Sequence, residues 1–193
     1  MIAYKAVDKT YFSLYDQVSM IVNVESEYFI EKIDNGLGGI IIKEQPVTPY
    51  IKDLGKYEIA SEYEKNFNIT NWQFYMAFDG DIPVGAITLV SRTKEINMLD
   101  DRDDLCVLWD IRVADGYKGY KYKGIGQRLF DYGREWAKKQ GLKQIKIECQ
   151  NNNVPACKFY HKQGAVLSKI DEYAYYNDEE ARHEVQLIWY LDI

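Results

Sequence analysis

A short loop separates an apolar strand from an amphipathic helix in this chain, and its sequence is Lys121-Tyr122-Lys123-Gly124-Ile125-Gly126. The residues before it, 105–113, are largely apolar and are interrupted by Asp110 and Arg112, which predicts a strand. After the loop, apolar residues recur at spacings of three to four as far as Ala137, and Gly141 predicts the end of this helix. A strand, a glycine-containing loop and a helix in this order allow backbone N–H groups to approach phosphate oxygens.

Basic side chains surround this loop, although the protein as a whole is acidic. The 193-residue chain carries 24 Lys+Arg against 30 Asp+Glu, a formal net charge of -6. No acidic residue lies between Gly116 and Phe130, where the cations are Lys118, Lys121, Lys123 and Arg128. This cluster favours a bound pyrophosphate, and the alternative is a tight turn whose glycines serve packing. The acidic remainder argues against nucleic acid or a membrane surface as partner and favours a cationic small molecule.

The residues that follow the helix predict further elements of a mixed α/β domain. Residues 145–149 alternate as a strand, and Asn153 precedes a short helix that ends at Gly164. Residues 171–176 and 184–191 predict two more strands around an acidic turn.

The residues before the loop are less regular. Residues 72–90 form two extended runs joined by Asp79-Gly80, the pattern of a β-hairpin. Further upstream, Pro46 and Pro49 mark a predicted break before a helical stretch around residues 53–66.

Other kinds of chemistry fit these residues poorly. The loop lacks the Gly-Lys-Ser/Thr ending of a nucleotide-hydrolysing P-loop and the third glycine of a dinucleotide fingerprint. No Gly-x-Ser-x-Gly elbow is present, and His161 and His183 are the two imidazoles of the chain. Cys106, Cys149 and Cys157 form no Cys-x-x-Cys pair, so we expect no metal site and reduced thiols in a cytoplasmic protein. No apolar run approaches the roughly 18 residues of a membrane span, and the N-terminus lacks the apolar core of a signal peptide.

Several spaced motifs resemble the acetyl-CoA binding core of the GNAT acetyltransferases. Besides the loop they are Leu108-Trp109-Asp110-Ile111-Arg112-Val113, Glu135-Trp136-Ala137-Lys138, Glu148-Cys149-Gln150-Asn151-Asn152-Asn153, Ala156-Cys157-Lys158-Phe159-Tyr160 and Ile188-Trp189-Tyr190-Leu191. Within that superfamily the combination is most similar to the streptothricin acetyltransferases, over about residues 72–193. The resemblance implies an α/β (α+β) GNAT fold: a mixed, mostly antiparallel central sheet flanked by helices, with a glycine-rich acetyl-CoA loop. It further implies one domain, 1–193, with an acceptor-side segment at about 1–70 and the acetyl-CoA core at about 72–165.

The resemblance also implies a mechanism, in which a substrate amine attacks the acetyl-CoA thioester directly. Backbone groups of Ile111, Arg112 and Val113 would hold the pantetheine arm and polarise the acetyl carbonyl. The pyrophosphate would bind the N–H groups of Lys121, Tyr122, Lys123, Gly124, Ile125, Gly126 and Gln127. Asn153 would reach the pantetheine or, through water, the reacting region, alongside or instead of capping its helix. Tyr160 would protonate the departing CoA thiolate, and a buried structural tyrosine is the alternative.

The attacking amine must lose a proton, and neither histidine is an evident base. Asp110 and Glu148, on neighbouring strands of the implied fold, could bind the ammonium group or accept its proton through water. The alternative for Asp110 is an ordinary outward position on its strand. Acidic residues at 100–104 and 178–184 could also attract a cation, although solvated loops fit them as well.

Two features depart from the family pattern. Lys121 stands where the family usually has Arg or Gln, and lysine lacks the planar fork of arginine. The segment between Val113 and Gly124 is also longer than usual, with Gly116 and Gly119 in the excess. The residues 124–127 are therefore the safer part of the pyrophosphate prediction.

We expect an acetyl-CoA-dependent N-acetyltransferase that acts on a primary amine of a cationic small molecule, best matched by a streptothricin-type antibiotic. The alternatives are another amine, such as an aminoglycoside, a polyamine or a protein amino group, and a non-catalytic GNAT module that binds CoA. Family members are often dimers, so the resemblance also allows a homodimer.

Overall fold

The computed structural model describes residues 1–118 and 124–193. In this part of the chain the strands are β1 (Ile2–Val7), β2 (Ile21–Ile33), β3 (Gly39–Asp53), β4 (Trp72–Asp79), β5 (Ile82–Ser91), β6 (Leu105–Val113), β7 (Gln144–Gln150), β8 (Val166–Asp171) and β9 (Gln186–Asp192). The α-helices are α1 (Phe12–Tyr15), α2 (Tyr63–Asn66), α3 (Ile125–Lys139) and α4 (Val154–Lys162). None of the helices in the described residues has the length and apolar character needed to cross a membrane.

Two compact units divide these elements. The first unit consists of residues 1–21, 53–147 and 191–193, and the second of residues 22–52 and 148–190. Strand β7 begins in the first unit and ends in the second. The single-domain expectation for residues 1–193 therefore stays a prediction.

The central sheet is mixed. Over the described residues it has seven strands in the order β1-β4-β5-β6-β7-β9-β8, and β2 and β3 form a separate two-stranded sheet. The pairs β1/β4, β4/β5, β5/β6 and β8/β9 are antiparallel, whereas β6/β7 is parallel. A mostly antiparallel mixed sheet with flanking helices confirms the predicted fold class.

The elements around the predicted loop lie where the sequence places them. Strand β6 spans residues 105–113, and helix α3 ends just before Gly141, whose φ of +74° lies in the left-handed region that glycine adopts readily. The predicted hairpin is β4 and β5, whose turn pairs Asp79 with Ile82. Gly80 in this turn has a φ of +60°.

Helix α3 packs closely on β5 because two glycines remove side chains at the contact. A Cβ atom on Gly133 would lie 2.9 Å from both terminal methyl groups of Leu89. A Cβ on Gly85 would lie 2.8 Å from Cγ2 of Ile125. These distances are shorter than carbon atoms tolerate, so the glycines set the depth at which α3 lies against the sheet.

Two predictions of secondary structure before residue 70 were wrong. Pro46 and Pro49 lie within β3 rather than at a break; both strands of a two-stranded sheet are edge strands, the positions at which sheets accept proline. The expected helix over residues 53–66 shrinks to a 3-10 turn, Ala60–Glu62, and α2. The helical part begins after residue 53 because the Asp53 carboxylate accepts a hydrogen bond from Gly55 N at 2.9 Å, and this bond forms a turn there.

The strand predicted over residues 171–176 was also wrong. Residues 172–176 form turns, and the strand is β8, which ends at Asp171. Tyr173 N donates to the Asp171 carboxylate at 3.0 Å, and Tyr176 N donates to the carbonyl of Tyr173 at 3.1 Å. This local hydrogen bonding outweighs the strand preference of the tyrosines. The other C-terminal strand is confirmed as β9.

Candidate active site

Strand β6 extends beyond its pairing with β7. The parallel pairs run from Leu105↔Gln144 to Leu108↔Ile147, whereas pairing with β5 continues to Val113. Because the backbone groups of a strand alternate between its two edges, residues 109–113 direct part of their N–H and C=O groups away from β5. On that edge the described residues supply no strand partner. The predicted pantetheine contacts of Ile111, Arg112 and Val113 would form there.

Helix α3 begins directly after Gly124, which has a φ of +108° and lies at the N-cap. Its first turn contains no acidic residue, so no carboxylate competes there for the positive end of the helix dipole. The first turn lies beside the end of β6, since a Cβ on Gly126 would lie 3.6 Å from a methyl group of Val113. Ile125 is buried beneath the turn, and the Gln127 amide donates to Asp131 at 3.1 Å.

The basic residues around this helix start are only partly available to an anion. Lys118 Nζ lies 2.5 Å from Oδ1 of Asp115 and donates to the carbonyl of Ile21 at 2.6 Å. Arg128 is exposed, with its guanidinium 5.1 Å from the ring centre of Tyr132. The other predicted phosphate-contact residues, Lys121, Tyr122 and Lys123, lie outside the described residues.

Asp110 and Arg112 form a buried ion pair on β6. Their exposed fractions are 2% and 3%, and Arg112 Nε donates to Asp110 Oδ2 at 2.8 Å. The Tyr15 hydroxyl donates to the same oxygen at 3.1 Å, whereas Asp110 Oδ1 has no hydrogen-bond partner among the described residues. Burial raises the pKa of Asp110 above its usual value, against the opposing charge of Arg112. The structure thus points Asp110 inward, and its role toward the acceptor amine stays a prediction.

A second carboxylate, Glu58, lies beside this ion pair and was not predicted from the sequence. Its Oε2 atom accepts hydrogen bonds from Trp109 Nε1 at 2.9 Å and from the Tyr63 hydroxyl at 3.1 Å. Its main-chain carbonyl accepts a bond from Arg112 Nη2 at 3.1 Å. Burial, followed by the charge of Asp110, raises the pKa of Glu58 to about 7.

A β-bulge in β6 explains how these groups meet. Thr88 of β5 pairs with Asp110 and Leu89 pairs with Leu108, so Trp109 is an extra residue without a partner on β5. Bulges re-aim side chains, and here Trp109 and the ion pair both contact Glu58. The sequence offers no signal for Glu58, which stands in an irregular stretch with no motif around it.

The second unit contains the other predicted residues. Glu148 on β7 accepts a hydrogen bond from the Tyr175 hydroxyl at 2.5 Å. The same hydroxyl accepts a bond from the Gln150 amide at 3.3 Å. Burial, and then the Glu148 charge, raise the pKa of Tyr175 well above its ordinary value. Glu148 therefore already binds a protein group, and its role as a base stays a prediction.

Asn153 and Tyr160 both belong to the helix that follows β7. The Asn153 side chain accepts a hydrogen bond from Ala156 N at 3.3 Å, which confirms it as the N-cap of α4. Tyr160 is 6% exposed, and its ring packs edge-to-face on Phe159 with the ring centres 5.6 Å apart. The pantetheine contact and the proton transfer predicted for these residues remain predictions.

The predicted acidic segments are partly neutralised within the protein. Asp100 binds Lys146 at 2.8 Å, and Asp104 binds Arg102 at 2.9 Å. In the second unit, buried Glu184 pairs with Lys52. Because these carboxylates already pair with cationic side chains, the two segments attract an external cation less strongly than their composition indicates.

Comparison with known proteins identifies the family. The sequence profile of the acetyltransferase (GNAT) family matches residues 40–165. The chain belongs to the GNAT acetyltransferase family. The match confirms the predicted enzyme class, an N-acetyltransferase, and it covers both the free edge of β6 and the start of α3.

Similar proteins extend this result. Streptothricin acetyltransferase from Escherichia coli is 28% identical over 178 residues, 91% of each chain. A candidate streptothricin acetyltransferase from Bacillus anthracis, solved in complex with acetyl coenzyme A, is 26% identical with a TM-score of 0.76, over 100% of this chain and 99% of that one. A nourseothricin acetyltransferase has a TM-score of 0.77 at 18% identity, over 99% and 98% of the two chains, which supports the fold alone. These matches confirm the resemblance to streptothricin acetyltransferases, and the predicted co-substrate is the ligand of the B. anthracis structure.

Proposed function

We propose that this GNAT enzyme transfers the acetyl group of acetyl-CoA to a primary amine of a streptothricin-type antibiotic. The similarity to the E. coli streptothricin acetyltransferase carries this proposal. The match to this enzyme covers 178 residues and is therefore longer than the match to the family profile, which spans residues 40–165. The similarity therefore includes residues outside the acetyl-CoA core that all GNAT enzymes share, where an acceptor pocket would differ between enzymes.

The donor side of the reaction uses backbone groups. The free edge of β6 at Ile111, Arg112 and Val113 would bind the pantetheine amides and polarise the acetyl carbonyl. The N–H groups at residues 125–127, in the first turn of α3, would bind the pyrophosphate with help from the helix dipole. Because backbone donors are held by the sheet and the helix, they are already oriented when the charge on the thioester oxygen develops.

The acceptor side requires one nucleophile and two proton movements. The amine forms a bond to the thioester carbon directly, without an acyl-enzyme, and the carbon–sulfur bond then breaks. Tyr160, a buried residue of α4, would supply the proton that the CoA sulfur takes up. Acetylation removes one positive charge and a hydrogen-bond donor from the antibiotic.

A panel of acceptor amines tests the proposed reaction. The purified protein is mixed with acetyl-CoA and, in turn, streptothricin, an aminoglycoside, a polyamine and a lysine-containing peptide, and the release of CoA thiol is measured. We expect the highest kcat/KM with streptothricin and a mass increase of one acetyl group. A higher value with another amine would reject the antibiotic as substrate. CoA binding without thiol release from any acceptor would indicate a non-catalytic module.

The Tyr160→Phe variant tests the general acid. We expect kcat to fall by about 100-fold or more, the usual contribution of a positioned proton donor, with the affinity for acetyl-CoA unchanged. Tyr173→Phe is the matched control, because Tyr173 lies in the same unit and is 74% exposed. Full turnover by Tyr160→Phe would leave Tyr160 as a structural residue.

A further inference from the structure

Glu58 has one oxygen held by the protein and one that is not. Trp109 Nε1 and the Tyr63 hydroxyl both donate to Oε2, which fixes the carboxylate in one orientation. No described residue donates to Oε1, and no lysine or arginine in the described ranges forms an ion pair with this carboxylate. The residue is half-buried rather than enclosed, and Oε1 is not one of the fully buried oxygens that lack a partner among the described residues.

The charged groups around Glu58 already have partners. From β6, Arg112 is bound to Asp110 and directs one N–H to the Glu58 main chain instead of its side chain. Near α1, the Asp16 carboxylate accepts bonds from Ala60 N at 2.7 Å and from the Ser61 hydroxyl at 2.6 Å. The tyrosines that face this region, Tyr15 and Tyr63, have pKa values raised first of all by burial and stay neutral. Asp110 Oδ1 also has no partner among the described residues, but Asp110 is fully buried, so Glu58 is the carboxylate of this cluster that lies nearer to solvent.

Glu58 also lies next to the backbone that the donor would use. Its side chain binds Trp109 and its carbonyl binds Arg112. Both residues belong to the free edge of β6, residues 109–113. An amine that approaches a thioester held on this edge would therefore come close to Glu58.

We propose that Glu58, rather than Asp110 or Glu148, is the general base that deprotonates the acceptor ammonium group. This role rests on the proposed function. The ammonium group gives its first proton to the Glu58 carboxylate, and Glu58 later releases this proton to solvent. The neutral amine then forms the bond to the thioester carbon, and the electron pair of the broken carbon–sulfur bond leaves on sulfur. Sulfur takes up a proton from Tyr160, and the second proton on the nitrogen restores Tyr160. One proton is therefore released to solvent per turnover.

The acidity of Glu58 suits this task. Burial and the charge of Asp110 raise its pKa to about 7, while Trp109, Tyr63 and Arg112 oppose the rise. A carboxylate of this basicity is about half ionised at neutral pH and accepts protons more readily than an ordinary one. The two carboxylates predicted from the sequence are each committed, Asp110 to Arg112 and Glu148 to Tyr175.

The Glu58→Gln variant tests the proposal with the intact protein and the best acceptor of the panel. Glutamine keeps an oxygen for Trp109 and Tyr63 but cannot accept the proton. At pH 7 we expect kcat/KM for the acceptor to fall by about 100-fold or more, with KM for acetyl-CoA unchanged. Glu62→Gln is the matched control, because the Glu62 side chain is 45% exposed and pairs with Lys65 at 2.7 Å.

The pH dependence separates a base from a structural residue. The wild-type rate should rise with pH and level off above about 7, where Glu58 is ionised. In Glu58→Gln this limb should vanish, and the rate should instead rise about tenfold per pH unit toward the pKa of the acceptor amine, which then loses its proton to water. A variant that keeps the wild-type limb, or a rate within about threefold of wild type, would overturn the role of Glu58.

Thermal unfolding provides a readout that does not depend on turnover. Because the folded state raises the pKa of Glu58, it binds the proton more tightly than the unfolded chain, and wild-type stability should fall as pH rises from about 4.5 to 7. Glu58→Gln should lack this part of the decline in Tm; an identical decline would contradict a raised pKa. A wild-type protein without turnover contradicts the proposed function, whereas an active wild type with an equally active Glu58→Gln variant contradicts only the role of Glu58.

Discussion

Asp110 and Arg112 show how much a single pair of residues can matter to stability. Taking two charges out of water is costly, and the pair is retained because each charge compensates the other. We predict that Asp110→Ala lowers the free energy of unfolding by about 3–5 kcal/mol, since it leaves the Arg112 guanidinium buried without its partner. Urea denaturation followed by tryptophan fluorescence measures the change.

A double-mutant cycle checks the origin of this loss. The variant Asp110→Ala with Arg112→Leu removes both charges, and we expect it to be more stable than Asp110→Ala alone. Strictly additive losses would show that the two side chains contribute separately, through packing rather than through their charges.

The candidate site illustrates what single residues do not reveal in a sequence. Sequence motifs predict the acetyl-CoA side of the site, because its backbone donors require glycines and a helix start at a fixed spacing along the chain. Glu58 has no such mark. Its raised proton affinity arises from burial and from the charge of Asp110, a residue far away in sequence that meets it only in the folded chain. A raised pKa is a property of the folded environment and cannot be inferred from the residue type.

At the scale of elements, helix α3 depends on close contact with the sheet. We predict that Gly133→Val lowers the free energy of unfolding by about 1–3 kcal/mol, because its side chain would overlap with Leu89 in a packed interior. Thermal and urea unfolding measure the effect. Gly116→Ala is the control, since a Cβ there meets no atom within 4 Å; equal stability of both variants would contradict the close packing.

Elements with strong local patterns were predictable, and those set by pairing were not. Strand β6 and helix α3 follow from apolar runs and periodicity, and Gly141 ends the helix. In contrast, Pro46 and Pro49 look like breaks, yet the strand that contains them is held by pairing with β2. The prediction placed strand β8 at residues 171–176, because the tyrosines there favour strand structure. The turn that forms instead depends on a hydrogen bond to the Asp171 side chain, which the sequence pattern does not reveal.

At the scale of the whole molecule, the thiols are shielded in both units. Cys106, Cys149 and Cys157 are all buried. Burial raises the pKa of Cys106 to about 12, and that of Cys149 is raised by the neighbouring Cys157, whose sulfur lies 3.3 Å away, and by burial. Because the thiolate is the reactive form, we predict that the native protein reacts slowly with a thiol reagent at pH 8. The unfolded protein should release three equivalents.

This prediction is checked by following the reagent's absorbance before and after adding guanidinium. Rapid reaction of a full equivalent in the native state would show that one thiol is accessible. A slow reaction also means that the protein contributes little background when CoA thiol is measured in the acceptor panel.

The bulge at Trp109 has a consequence for the length of β6. Side chains in a strand alternate between two faces, so a deletion of one residue between Leu108 and Asp110 would make the pairing with β5 more regular. The pairs on both sides of the bulge would keep their partners on β5, and the indole that donates to Glu58 would be lost. For β6, the number of residues therefore matters as much as their identity.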